Sequence, residues 1–359
     1  MKTDPISALG VMSGTSLDGL DLCLTEFHYD GTWRFRIVHA ECVDYDERWR
    51  KKLATAHELS EEKLQQLHIE FGQFIGGHIN SFLDRGQLAK PELVCSHGHT
   101  VFHQPEKGIT VQIGDGQTIA NTTGITCVND FRSLDVSLGG QGAPLVPIGD
   151  ELLFSDFEAC LNLGGFSNIS FKEDGERRAF DICPVNIVLN ELANRLNQAF
   201  DRNGQLSQSG KLNEALLDRL NGLNLYTDEI RPSLSREWVE SVVNPLLSAS
   251  GLSEVDLMRT FVEHVAIQIA RVVERKAAGG RVLVTGGGAY NSFLMERSET
   301  YCLADLIIPD RQTIEFKEAL IFAFLGVLRV RNEINVLKTV TGAERDSCSG
   351  VIWLSSAPS

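Results

Sequence analysis

Three glycine-centred turns in this chain have the residue types to hold a phosphate. In the first, an apolar run from Leu9 reaches Ser13-Gly14-Thr15-Ser16, a carboxylate follows at Asp18, and apolar alternation resumes through Gly19-Leu20-Asp21. Small residues let a backbone approach a ligand closely, and the N–H groups of such a turn suit an anion. Asp18 stands where it could hold a hydrated Mg²⁺ on a bound phosphate. The order strand, Gly/Ser/Thr turn, carboxylate, strand describes a phosphate-binding hairpin. It is not a Walker loop, which needs a lysine and a following helix. Taken alone, the segment also fits an ordinary hairpin turn. Residues 159–171 repeat the design around Gly164-Gly165, suggesting two related domains. In the third turn a buried strand from Arg281 breaks into Gly286-Gly287-Gly288, against which a flat ring or a phosphate could lie. The G-x-G-x-x-G spacing of dinucleotide folds is missing there.

Other polar groups stand at the ends of apolar stretches, where α/β proteins place their chemistry. These are Ser96-His97-Gly98-His99-Thr100, Ile113-Gly-Asp115-Gly116 and Asn129-Asp-Phe-Arg132. His97, His99 and His103 raise the question of a metal. His97 and His99 are expected on opposite sides of their strand, and no cysteine or acid cluster completes a zinc set. Asp115, between two glycines, reads as a turn residue.

The elements that must position these groups read as α/β. Residues 6–39 read as strands with a turn at Tyr29-Asp-Gly31, and helices are expected over 59–84, 186–200, 261–277 and 316–331. At 359 residues the natural expectation is two domains. They are placed at 1–150 and 151–359, with the Gly139–Pro147 stretch as a domain crossover. A formal net charge of −15 argues against nucleic-acid or anionic-membrane surfaces. The eight cysteines form no C-x-x-C pair, which fits a reducing cytoplasm. No run approaches the ~18 apolar residues of a membrane helix, and the opening Met1-Lys-Thr-Asp-Pro5 is unlike a signal peptide.

Ten segments in order carry a resemblance. They are Met12–Asp21, Ser96-His-Gly98, Phe102-His-Gln-Pro105, Gln112-Ile-Gly-Asp-Gly116, Asp130-Phe-Arg132, Gly139–Pro147, Asn162-Leu-Gly-Gly165, Gly286–Ala289, Glu318-Ala319 with Phe322-Ala323, and Thr341-Gly-Ala343. Spread over nearly the whole chain, they resemble the anhydro-N-acetylmuramic acid kinases. The resemblance implies a two-domain, actin-like ATPase fold of the ribonuclease H type, with mixed sheets flanked by helices and an interdomain cleft. It implies a cytoplasmic homodimer that uses ATP and Mg²⁺ to open the 1,6-anhydro ring of the amino sugar with water while phosphorylating O6. Gly14, Thr15, Ser16, Leu17, Asp18, Gly19, Leu20 and Asp21 would form the first phosphate hairpin, with Asp18 near the metal. Gly164 and Gly165 would belong to the second, and Gly286, Gly287 and Gly288 would face the nucleoside. Asp181 matches the general base. His97, Arg132 and Glu318 match positions near the sugar, and the Arg132 guanidinium suits its lactyl carboxylate.

The chain departs from the family pattern around its base. Phe-Asp-Thr-Gly-Pro-Gly-Asn has become Phe180-Asp181-Ile182-Cys183-Pro184-Val185-Asn186. Ile182 and Val185, being β-branched, resist positive φ and add bulk where a ligand could pass. Lys-Ser-Thr-Gly-Arg-Glu survives only partly in Pro232–Glu237, and His99 replaces a glutamine. A kinase of another sugar, or a nucleotide- or sugar-binding sensor with little turnover, therefore stand as alternatives. Dull roles are also open: Asp181 as a helix N-terminal acid, Arg132 as a simple ion-pair partner, and Glu318 as a lone exposed charge.

Overall fold

A computed structural model describes residues 5–14, 17–226 and 234–356. Thr15, Ser16, Pro232 and Ser233 lie outside the described residues. The chain divides into two compact units, 1–153 with 316–359, and 154–315.

In unit 1, β1 (Ile6–Ser13), β2 (Gly19–Tyr29), β3 (Trp33–Asp44), β4 (Leu93–Gln104), β5 (Ile109–Ile113) and β6 (Thr126–Asn129) share one sheet with a C-terminal strand, β12 (Val351–Trp353). In unit 2 the sheet is built from β7 (Ala159–Leu163), β8 (Phe166–Glu173), β9 (Glu176–Pro184), β10 (Arg281–Thr285) and β11 (Asp305–Ile307). Unit 1 contains the order β3-β2-β1-β4-β6 and unit 2 the order β9-β8-β7-β10-β11. In each, the first three strands of the unit are antiparallel neighbours and the next two pair in parallel. The repetition read from the two glycine hairpins is therefore a repetition of whole sheets.

Successive residues of a strand point to opposite faces, and β1 shows what covers each. Leu9 and Val11 join a core with Phe71, Ile75, Ile79 and Phe82. Those four recur at helical spacing on the helix Glu61–Gly86, giving it one apolar stripe. Gly10 faces the other way. A Cβ built on it would stand 1.8 Å from the carbonyl oxygen of Ala319, so the helix Arg311–Val330 lies directly on bare backbone. Gly326 on that helix meets Cys95 of β4 in the same fashion, its added Cβ falling 2.1 Å from Sγ. Phe324 adds ring contacts to Phe27 and Trp33. These contacts place residues 316–359 with unit 1, not with 151–315 as the sequence reading had it. The division falls inside the helix Arg311–Val330. The Gly139–Pro147 stretch is no crossover either, since it lies within unit 1.

Gly10→Ala is expected to lower the urea midpoint, with a loss of unfolding free energy of at least the ~1–3 kcal/mol typical of overpacking. It should also displace Glu318, one residue from the clash. An unchanged midpoint would mean that the helix can shift at no cost.

Unit 2 packs the helix Glu254–Lys276 against β8 and β9, with Phe261, Val265 and Ile269 fully buried in the shared core. The buried Glu263 ties this helix to the next, Ser292–Tyr301, by accepting from Arg297 (2.8 and 2.9 Å), Arg259 (2.6 Å) and Tyr301. Burial alone would raise its carboxyl, but these hydrogen bonds outweigh it and hold it at about 2. Several elements run differently from expectation. The helix expected over 186–200 ends at Arg195, before Asn197 at φ 59°, and that expected from 261 begins at Glu254, capped by Ser253. Among the described residues no helix is long and apolar enough to cross a membrane.

Candidate active site

The first hairpin closes with Leu17 N–H donating to the Gly14 carbonyl at 3.3 Å, Leu17 itself adopting φ 60°. Asp18 is exposed at the turn, its carbonyl accepting from Tyr45 N–H. Gly19 and Leu20 already belong to β2. Leu20 is buried, and a Cβ on Gly19 would meet the Val43 carbonyl at 2.6 Å. Among the described candidates, Gly14, Leu17 and Asp18 therefore lie outside the strands, and Gly19, Leu20 and Asp21 lie on β2. Asp21 lies on β2 opposite Cys42, whose thiol donates to its carboxylate.

Also in unit 1, β4 and the segment after β6 bring His97 and Arg132 together. Arg132 donates to His97 Nε2 from Nε (3.0 Å) and Nη2 (2.8 Å), and from Nη1 to the Gly142 carbonyl. His97 Nδ1 is 2.9 Å from the Gly98 carbonyl and donates to it, since Nε2 is the acceptor. The ring is therefore neutral. Burial and the Arg132 charge agree with this, pushing it down to about 3. Burial lowers Arg132 to about 10, still cationic at neutral pH. Glu318 reaches the same neighbourhood from the helix Arg311–Val330. Its side chain is exposed, yet crowding by the surrounding protein and then the Asp21 charge raise its carboxyl, with Arg132 and Lys317 opposing. Glu318 is thus an exposed charge, as one expectation had it, but not a lone one, and Arg132 is gripped by a neutral ring and a carbonyl instead of an acid.

His99 goes elsewhere. It packs against Phe71 and bonds Ser13 Oγ at 3.1 Å, while His97 packs on Phe322. The two rings do lie apart as expected, but strand alternation is not the cause, since residues two apart on a regular strand share a face. Gly98 at φ 74° and a register shift in the β1–β4 pairing break that rule here, and this is the reason the two rings separate. Asp115 caps the helix Gly116–Thr123 through the Thr118 N–H (2.8 Å), the turn role expected of it.

In unit 2, Asp181 is half-buried on β9 opposite Asn168 of β8. It lies in a strand, five residues before the helix Asn186–Arg195, so it is not that helix's N-terminal acid. Its Oδ2 accepts the Leu234 N–H at 2.8 Å. Burial raises its carboxyl and the Leu234 bond partly offsets this. The substituted residues beside it take up no ligand space. Ile182, Cys183 and Val185 are fully buried in the core of unit 2, and neither Ile182 nor Val185 has positive φ. Beyond them, the N–H groups of Val185, Asn186 and Ile187 donate to the carbonyls of Gly164 and Gly165 (2.8–3.3 Å), joining the base strand to the second hairpin.

The three glycines after β10 have separate roles. Gly286 adopts φ 83°, and a Cβ there would meet Asn162 Oδ1 at 2.6 Å. Gly288 packs on Leu163, at 2.7 Å from a built Cβ. Gly287 alone of the three lines a cavity of about 560 Å³, shared with Asn186, Phe200, Tyr290 and Arg311. Glu315 accepts from both Tyr290 Oη (3.2 Å) and Arg311 Nε (2.8 Å) on its wall. The sequence reading singled out none of these wall side chains, which lie on four separate segments. The aromatic Phe200 and Tyr290, each exposed, were the available signal.

Two copies of one five-strand order, each carrying a glycine hairpin between its first two strands, define the actin-like ATPase and sugar kinase class of α/β fold. A family model described as anhydro-N-acetylmuramic acid kinase matches residues 6–355. Curated proteins named anhydro-N-acetylmuramic acid kinase are similar over almost their whole length. That of Mannheimia succiniciproducens is 34% identical, covering 96% of this chain and 98% of its own. That of Vibrio cholerae is 33% identical, covering 96% and 97%. That of Pseudomonas syringae is 32% identical, covering 96% and 98%. The chain belongs to the anhydro-N-acetylmuramic acid kinase family, and it is a phosphotransferase.

Proposed function

We propose that this chain opens the 1,6-anhydro ring of anhydro-N-acetylmuramic acid with water and moves the ATP γ-phosphoryl group to the freed O6, giving N-acetylmuramic acid 6-phosphate in the cytoplasm. The observation that carries the reading is Asp181. It is a half-buried carboxylate on the strand bonded to the second glycine hairpin, with one oxygen oriented by the Leu234 amide. In the proposed step Asp181 takes a proton from water as the water oxygen bonds to C1. The C1–O6 bond breaks, O6 attacks the γ-phosphorus, and ADP leaves. Arg132 receives the lactyl carboxylate, and Glu318 accepts from sugar hydroxyls. The turns at Gly14–Asp18 and Gly164-Gly165 hold phosphates, and the cavity beside Gly287 takes the nucleoside. The exposed Asp18 side chain fits a hydrated Mg²⁺, which would spread the charge developing on the phosphoryl oxygens.

Inward packing of Ile182, Cys183 and Val185 favours the family's sugar over a different one, because these side chains are buried in the unit 2 core and put no bulk on the exposed side of the base strand. The test is product analysis with Mg-ATP and the anhydro sugar in ¹⁸O-labelled water. Label in the C1 hydroxyl together with phosphate on O6 is expected. Phosphate on O6 without label at C1 would remove the coupled hydrolysis. ATP binding without turnover would favour the sensor reading.

Gly287→Val separates the two ligands. A Cβ at Gly287 has open space, its nearest neighbour being Asn186 Nδ2 at 3.8 Å. The variant should fold, narrow the cavity and raise KM for ATP at least about tenfold, as extra methyl groups in a fitted pocket do. KM for the sugar should stay unchanged. Equal KM values for ATP in variant and parent would move the nucleoside elsewhere.

A further inference from the structure

Arg132 is held from two sides, and the second side leads to a residue with no role so far. Asp135 is fully buried three residues further on. Its Oδ2 accepts the Gly142 N–H at 2.8 Å and its Oδ1 accepts Thr341 Oγ at 2.7 Å. Its backbone carbonyl accepts the Gly140 N–H at 2.9 Å, and the Gln141 N–H donates to the Thr341 carbonyl at 2.8 Å. Three consecutive amides of the glycine loop are thus fixed, two by Asp135 and one by its partner Thr341. Room for this exists only because position 140 has no side chain, since a Cβ there would fall 2.2 Å from Asp135 Oδ2. The loop then offers the Gly142 carbonyl to Arg132 Nη1.

A guanidinium has five N–H donors in a planar fork. Here Nε and one N–H of Nη2 go to His97, and one N–H of Nη1 goes to Gly142. One N–H on each terminal nitrogen has no acceptor among the described residues. Two donors on neighbouring terminal nitrogens are what a carboxylate accepts in parallel.

We propose that Asp135 is a positioning residue for sugar recognition: acting through the Gly142 carbonyl, and opposite His97, it sets the plane of Arg132 so that the remaining N–H pair receives the substrate's carboxylate. This rests on the reading of Arg132 under the proposed function. Asp135 touches no substrate. Removing it frees the Gly142 amide, lets the loop carbonyl turn and leaves Arg132 held from one side.

The experiment compares Asp135→Ala, Asp135→Asn and Thr341→Val with the parent chain. Steady-state kinetics use anhydro-N-acetylmuramic acid and ATP. Calorimetry without ATP uses that sugar and its analogue lacking the lactyl ether. Asp135→Ala should lower kcat/KM for the sugar by about tenfold to hundredfold, as small misplacements of an orienting group do. Its KM for ATP should not move, and the parent's preference in binding for the carboxylate-bearing sugar should shrink by a similar factor. Asp135→Asn keeps an acceptor for the Gly142 N–H and should restore most of the loss. If Asp135→Ala does not fold, Thr341→Val carries the same test with a smaller shift in the same ratio.

The proposal is overturned if sugar binding is unchanged, if the two sugars weaken equally, or if asparagine restores nothing. Failure of the underlying reading looks different, because the parent itself would then not distinguish the two sugars.

Discussion

Asp181→Asn is expected to bind ATP as the parent does and to lose kcat by about 10²–10⁴, the usual worth of a positioned general base. An asparagine oxygen can still accept the Leu234 N–H, so the side chain keeps its place on β9 while losing its basicity. Nucleotide titration and single-turnover kinetics read the two effects separately. A variant that turns over at the parental rate would remove Asp181 from the chemistry. The pH profile of kcat/KM gives a second reading. Burial raises this carboxyl above its ordinary ~3.9. The base works ionised, so activity is present above the raised pKa and falls as pH drops through it. Leu234→Pro removes the offsetting N–H donor and should move that acid limb further up.

Arg132→Lys is expected to cost nearly as much, through a different constant. Lysine keeps the charge but not the fork. It cannot satisfy His97 Nε2 and the Gly142 carbonyl at once and still offer two parallel donors outward. Two buried acceptors would then lack full partners, each a penalty in its own right. We expect kcat/KM for the sugar to fall about 100-fold, the scale of a lost orienting contact, mostly in KM, with ATP binding unaffected. A parental KM for the sugar would mean that the carboxylate is received elsewhere.

The two hairpins were legible because short runs of small, glycine-bearing residues between apolar alternations leave few other structures. The duplication of entire sheets could be glimpsed from those hairpins, but strand order could not, since pairing partners are far apart in sequence. The allegiance of the last helix was illegible for the same reason. Periodicity shows that residues 316–330 bury a face, whereas the partner is decided by bare backbone at Gly10 and a glycine facing Cys95. Asp135 escaped notice because an acid in a five-residue helix usually reads as solvated. Its signal was the Gly139-Gly140 pair just after it, space that a buried carboxylate fills. Gly286 to Gly288 looked alike as letters, and only their surroundings distinguish the one that faces the cavity.

The apolar residues flanking the base have a consequence for the history of this site. Ile182 and Val185 are now part of the unit 2 core, touching the same cluster as Leu161, Val188 and Leu192. Restoring the family's threonine and glycine there would be a large-to-small change in a packed interior, where Ile→Ala alone costs about 2–5 kcal/mol. The family motif can therefore no longer be reinstated one letter at a time: reversion is contingent on neighbours that sit in other segments of the chain. Chimeras that exchange only the motif should lose stability, and those that exchange the motif with its packing partners should keep it.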